Sequence, residues 1–114
     1  MWLVIDFGNA ASVQLEHEPV PPAQVVAGSP TTGYLALGEF RGQEYGVWEL
    51  TPGAVSDVET DELFIVLSGR AIVELVDDES TMELTSGVVA RLTAGMNTVW
   101  TVSETLRKVY VTGL

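Results

Sequence analysis

Cysteine is absent from this 114-residue chain, histidine and lysine occur once each, as His17 and Lys108, and five cationic residues stand against sixteen acidic ones. Each shortage excludes a class of chemistry. Without cysteine there are no disulfides, thiolate zinc sites, iron–sulfur clusters or thiol nucleophiles. One histidine rules out a zinc or iron centre built from several imidazoles of a single protomer. So few cations do not suit nucleic acid, whose phosphates are held by clustered lysine and arginine, and no nucleic-acid partner is expected. No apolar run approaches the ~18 residues of a membrane span, so no membrane partner is expected either. The apolar stretch Met1 to Ile5 carries no basic leader and is interrupted by Asp6 before it reaches signal-peptide length. It reads as a strand, and a cytoplasmic location follows by default.

What remains is enough for a folded core. Hydrophobic residues make up 46% of the chain and charged residues 18%, the balance of a globular domain rather than of an acidic tail. The length suits one domain of radius roughly 13 Å. Between Glu16 and Gly33 the composition shifts to Pro19, Pro21, Pro22, Gly28, Ser29 and Pro30, a pattern that blocks helix and favours an extended arm. Beyond it turn signals recur at Gly42, Pro52-Gly53, Ser68-Gly69, Asp77-Asp78, Ser86-Gly87 and Ala94-Gly95. The runs between them predict strands over Tyr34 to Phe40, Tyr45 to Leu50, Glu62 to Leu67, Arg70 to Val76, Thr81 to Thr85, Val88 to Leu92, Thr98 to Val102 and Leu106 to Thr112. No helical periodicity persists long enough to compete, and the expected fold is all-β, a sandwich or barrel. The chain divides into an N-terminal strand and Pro-rich arm, residues 1–33, and a β domain, residues 34–114.

Two stretches carry more specific information: Gly46-Val47-Trp48-Glu49-Leu50-Thr51-Pro52-Gly53 and Asp61-Glu62-Leu63-Phe64-Ile65-Val66-Leu67-Ser68-Gly69-Arg70. With Leu92 to Trp100 and Leu106-Arg107-Lys108-Val109-Tyr110-Val111, they resemble the cupins, and more narrowly the small single-domain cupins related to ureidoglycine aminohydrolase and ethanolamine-utilisation proteins. The resemblance runs from about Gly28 to Val111 and implies a double-stranded β-helix of jelly-roll type. It also implies where a cupin metal would sit. Glu62 and Gly69 keep the seven-residue spacing of the first motif, but its two histidines would fall at Ser56 and Val58, or in a one-residue variant at Val55 and Asp57. The histidine of the second motif would fall at Thr98. None of these is histidine, and no metal or other cofactor is assigned. Asp57, Glu59 and Asp61 read as a solvated acidic loop, which would attract at most a hard cation such as Ca²⁺ or Mg²⁺.

Alternate residues of a strand share a face, so parity puts Phe64 and Val66 beside Glu62, and Trp100 and Val102 beside Thr98. Lys108 shares its face with Leu106 and Tyr110. Facing inward, it invites a carboxylate partner, Glu62 or Glu49; facing outward, it guards a sheet edge. Trp48 and Trp100 suit a ligand wall and a plain core equally, and Glu49 should point away from Trp48. His17, between two glutamates, reads as an exposed side chain, or as a contact to a partner subunit. Three functions are open. The first is a small polar or carboxylate-bearing ligand held in the barrel by Glu62, Lys108 and Tyr110, with Trp48, Phe64 and Trp100 as apolar walls. The second is acid/base catalysis by Glu62, Lys108 and Tyr110 without a metal. The third is a non-catalytic interaction module, and a homodimer is the expected assembly.

Overall fold

Valine, isoleucine, leucine, threonine and aromatic residues alternate with polar ones between closely spaced turns, which drives the backbone into extended segments with one wet and one dry face. The computed structural model describes residues 8–113 and contains nine strands among them: β1 (Glu18–Pro19), β2 (Val25–Ala27), β3 (Thr31–Phe40), β4 (Gln43–Leu50), β5 (Gly53–Val58), β6 (Glu62–Leu75), β7 (Ser80–Leu84), β8 (Val89–Leu92) and β9 (Asn97–Thr112). All of their pairings are antiparallel.

Two long strands organise the rest. Residues 106–112 of β9 lie between β4 and the first part of β6, while residues 97–102 lie between β5 and its second part. This makes two layers, one ordered β1-β3-β4-β9-β6-β8 and the other β2-β5-β9-β6-β7, which share β6 and β9. The sheet thus curls into a jelly-roll barrel. Leu50, Phe64, Val66, Val73, Leu92, Trp100 and Leu106 pack between the layers, and each such side chain contributes about 1.5–3 kcal/mol by leaving water.

The crossing between layers depends on one glycine. Gly69 has φ +94°, and a Cβ there would run into the Thr105 carbonyl of β9. The ladder shifts register between Val66 and Ala71 at this point. The Ser68-Gly69 signal is therefore a bend inside β6 and does not separate two strands. The expected pair Thr98 to Val102 and Leu106 to Thr112 is likewise one strand, β9. Sequence expectation also missed β5, because its Pro52-Gly53 start and polar Ser56 and Asp57 hide a strand that pairs with both β2 and β9. The arm is not free chain. Its β1 pairs with β3, its β2 with β5, a short 3₁₀ turn spans Pro22–Gln24, and Val20 is buried in the core. The strand expected over Met1 to Ile5 lies outside the described residues.

Candidate functional site

Strand pleat decides which side chains meet inside the barrel. On β9, Leu106, Lys108 and Tyr110 are buried and alternate with less buried neighbours, so Lys108 faces inward. Its ammonium donates to Glu62 Oε2 over 2.5 Å. It also lies 4.4 Å from the ring centres of Trp48 and Phe64 and 4.8 Å from that of Trp100. Lys108 is only 4% exposed. A charge so removed from water needs both a counter-ion and polarisable neighbours, and here it has one carboxylate and three aromatic faces. Trp48 and Trp100 meet edge to face at 5.7 Å, and Trp100 Nε1 donates to Thr98 Oγ1 at 3.1 Å.

Trp48, Glu62, Trp100 and Lys108 border a cavity of about 180 Å³ whose lining also includes Asp57 and Glu59, with Pro21 and Gln24 of the arm closing one side. The acidic stretch is not the solvated loop expected of it. It splits four ways. Asp57 stands at the exposed rim and lines the cavity. Glu62 meets Lys108. Asp61 turns away and accepts the Ala94 amide at 3.0 Å. Glu59 is clamped by its backbone, which donates to Met96 O and accepts from Gly95 N, both at 2.9 Å. That clamp turns its side chain inward, where it is 9% exposed and its Oε2 has no donor among the described residues. Burial, and then the neighbouring Asp57 carboxylate, push Glu59 up to about 7, so its protonated form persists well above the ordinary carboxylate range.

Parity counting could not find Glu59, because Glu59, Thr60 and Asp61 connect two strands and break the alternation. The available signal was acidic density next to Glu62.

Tyr110 is buried on the same face as Lys108, but its hydroxyl donates to Glu44 Oε2 at 2.9 Å and does not border the cavity. Burial and then Glu44 raise its pKa, so its proton is held in place. Phe64 touches the cavity only through the ammonium it covers. Glu49 faces the outside, opposite to Trp48, as its position predicts. There it accepts Arg107 Nε at 2.8 Å and His17 Nε2 at 2.6 Å. Burial pushes Glu49 up, but Arg107 and His17 outweigh it and hold the carboxyl below its ordinary value. The His17 side chain is therefore engaged within its own chain, with Thr31 Oγ1 2.9 Å from its other ring nitrogen. Arg107 also donates to the carbonyls of Ala10 and Val13, at 3.0 and 2.8 Å, and fastens the start of the arm.

A transition metal of the cupin kind does not fit this donor set. Val58 is exposed, Ser56 donates to the Gln24 carbonyl, and the Thr98 hydroxyl receives Trp100. Among the described residues no group of three or more His, Cys, Asp or Glu is arranged to hold a metal ion. The counter-cation of Glu62 is the Lys108 ammonium.

Comparison with known proteins agrees with the architecture. The family model for the EutQ-like cupin domain matches residues 37–110. A crystal structure of a protein of unknown function from Pseudomonas syringae pv. tomato superposes with a TM-score of 0.76 at 24% identity; the match covers 89% of this chain and 45% of that one. The chain thus spans less than half of that relative. The Clostridium difficile EutQ protein gives a TM-score of 0.62 at 18% identity, covering 73% of this chain and 68% of that one. A cupin superfamily protein from Desulfitobacterium hafniense gives 0.58 at 15% identity, covering 71% and 75%. Identities this low speak for the fold alone. No curated protein matches the chain. No helix among the described residues is long and apolar enough to cross a membrane.

Proposed function

The chain belongs to the family of EutQ-like cupin domains, and on that premise we propose that it binds a small polar molecule in the cavity bordered by Trp48, Glu59, Glu62, Trp100 and Lys108. The supporting observation is Glu59, a buried carboxyl turned into a concave space with one oxygen lacking a donor among the described residues. Binding pockets combine apolar walls with a few convergent polar groups, and this cavity sets Trp48 and Trp100 beside three carboxyls and an ammonium. Its size suits a compact molecule. The test is a small-fragment screen by ligand-observed NMR on the wild-type chain and on Trp48→Ala. Fragments that bind the wild type and lose affinity in the variant support the proposal; a screen with no cavity-dependent binder rejects it.

A second reading is acid/base catalysis on the bound molecule, and one observation favours it. Glu59 and Asp57 form a carboxyl pair whose buried member titrates near neutrality, where a group can both take and give a proton. In that reading Glu59 replaces Tyr110 as the proton carrier, Lys108 and Glu62 orient the substrate, and turnover falls at least a hundredfold in Glu59→Gln with ligand affinity largely kept.

A further inference from the structure

We infer that the ligand carries a positive charge: a small organic ammonium or amidinium group that sits against Glu59 and Asp57, with its carbon frame on the half-buried Trp48. The inference rests on the cavity being a binding site, as proposed above, and names the chemical class it selects.

Charge inside the cavity is the first argument. Three carboxyls, from Asp57, Glu59 and Glu62, border it, against one cation, Lys108. That cation is already committed. Its ammonium is bound to Glu62 and covered by the faces of Trp48, Phe64 and Trp100. An entering carboxylate would have to displace Glu62 from it and would then stand beside Glu59 and Asp57. Like charges brought together away from bulk water repel strongly. Lys108 is thus part of the wall, and the expectation that it anchors an anion gives way.

The second argument is the unmet hydrogen bond. Glu59 Oε2 is buried with no donor among the described residues, and a buried acceptor left unmet is costly. In the free protein, burial and the neighbouring Asp57 carboxylate favour the protonated form of Glu59, which lowers this cost. A ligand N–H with a positive charge would serve the acceptor better, since it supplies donor and counter-charge together. The groups that face Glu59 are Asp57 from β5, Glu62 from β6 and Lys108 from β9, and none of them offers a free donor. The aromatic walls complete the match: Lys108 already occupies their cation-attracting faces, and what Trp48 and Trp100 leave to the cavity is apolar surface for short alkyl chains.

Binding of such a cation favours the ionised Glu59 carboxylate over its protonated form, so affinity and proton release are linked. The experiment uses n-butylamine and benzylamine, their anionic counterparts butyrate and benzoate, and their neutral counterparts butanol and benzyl alcohol. Affinities are measured by NMR titration of the Trp48 and Trp100 indole signals at pH 6 and pH 8, on the wild type and on Glu59→Gln. The expected result is amine binding at least tenfold tighter than that of the matched carboxylate, tightening several-fold from pH 6 to pH 8, with the preference lost in Glu59→Gln. The variant should fold at least as well as the wild type, since an amide replaces a buried carboxyl. Tighter binding of butyrate or benzoate would overturn the charge assignment while leaving the cavity as a binding site. So would an amine preference that persists in Glu59→Gln. If none of the six probes moves either indole signal, the binding reading falls and the inference with it.

Discussion

Lys108 and Glu62 are joined by a 2.5 Å hydrogen bond although the β6–β9 register sets Glu62 opposite Thr112 and Lys108 opposite Val66. The lysine reaches back along the strand over the Phe64 ring. Removing one partner leaves the other charge poorly compensated, which costs about 3–5 kcal/mol for a buried pair. Lys108→Met should therefore lower stability by roughly that amount, and Lys108→Met with Glu62→Gln should recover most of it. Urea titration of the two single variants and the double variant measures the coupling. Equal stability of the single and double variants would show that the pair contributes only packing.

Glu59 makes the fold pH-sensitive in a defined direction. Its carboxyl titrates at about 7 in the folded chain, against the ordinary value of 4.5. Folding favours the protonated form, so the destabilising effect is absent below the ordinary value, grows as pH rises from there toward 7, and is fully expressed above it. By linkage the loss is at most about 3 kcal/mol, and less to the extent that solvent screens the carboxyl. Glu59→Gln should flatten stability between pH 5 and pH 8 and stabilise the chain at pH 8, as read from urea midpoints across pH.

On the outer face, Glu49 ties Arg107 and His17 together while Arg107 holds the Ala10 and Val13 carbonyls. The lowered pKa of Glu49 means that its contribution is present above the ordinary carboxylate range and is lost as pH falls through the folded value. Glu49→Gln should speed amide exchange of Val13, which bonds to Asn9 O, and of Val20, which bonds to Pro30 O, while the β6–β9 ladder stays protected. Hydrogen exchange resolved by residue checks this. Uniform protection in the variant would show that the arm is held by its strands alone.

Gly69→Ala should be the most damaging small substitution in the chain. It forces a left-handed backbone on a residue with a Cβ and drives that Cβ into Thr105. The expected cost exceeds about 3 kcal/mol, visible as loss of soluble folded protein or a collapsed urea midpoint.

Tyr110→Phe separates position on a face from position in the site. Its hydroxyl serves Glu44 and not the cavity. The variant should lose about 1 kcal/mol of stability and leave the affinity of any cavity ligand within twofold. A larger effect on binding would return Tyr110 to the site.

Periodicity and turn chemistry were enough to specify an all-β chain, which residues of β6 and β9 share a face, and the opposed faces of Trp48 and Glu49, because strand pleat is a local property with a period of two. Neither decides which face of β9 turns inward. The resemblance of Gly46 to Gly53 and Asp61 to Arg70 to cupins carried the architecture, and the same positions told where imidazoles are missing. Other features depended on contacts distant in sequence. That Ser68-Gly69 bends a strand instead of ending it follows from Thr105 lying against Gly69. That Lys108 chooses Glu62 over Glu49 follows from Arg107 and His17 already holding Glu49 on the other side of the sheet. That Glu59 turns inward follows from a backbone clamp to the Gly95–Met96 turn. Alternation within a strand is written in neighbouring residues, whereas the partner of a charge and the direction of a connecting residue are settled only when remote segments pack and exclude water.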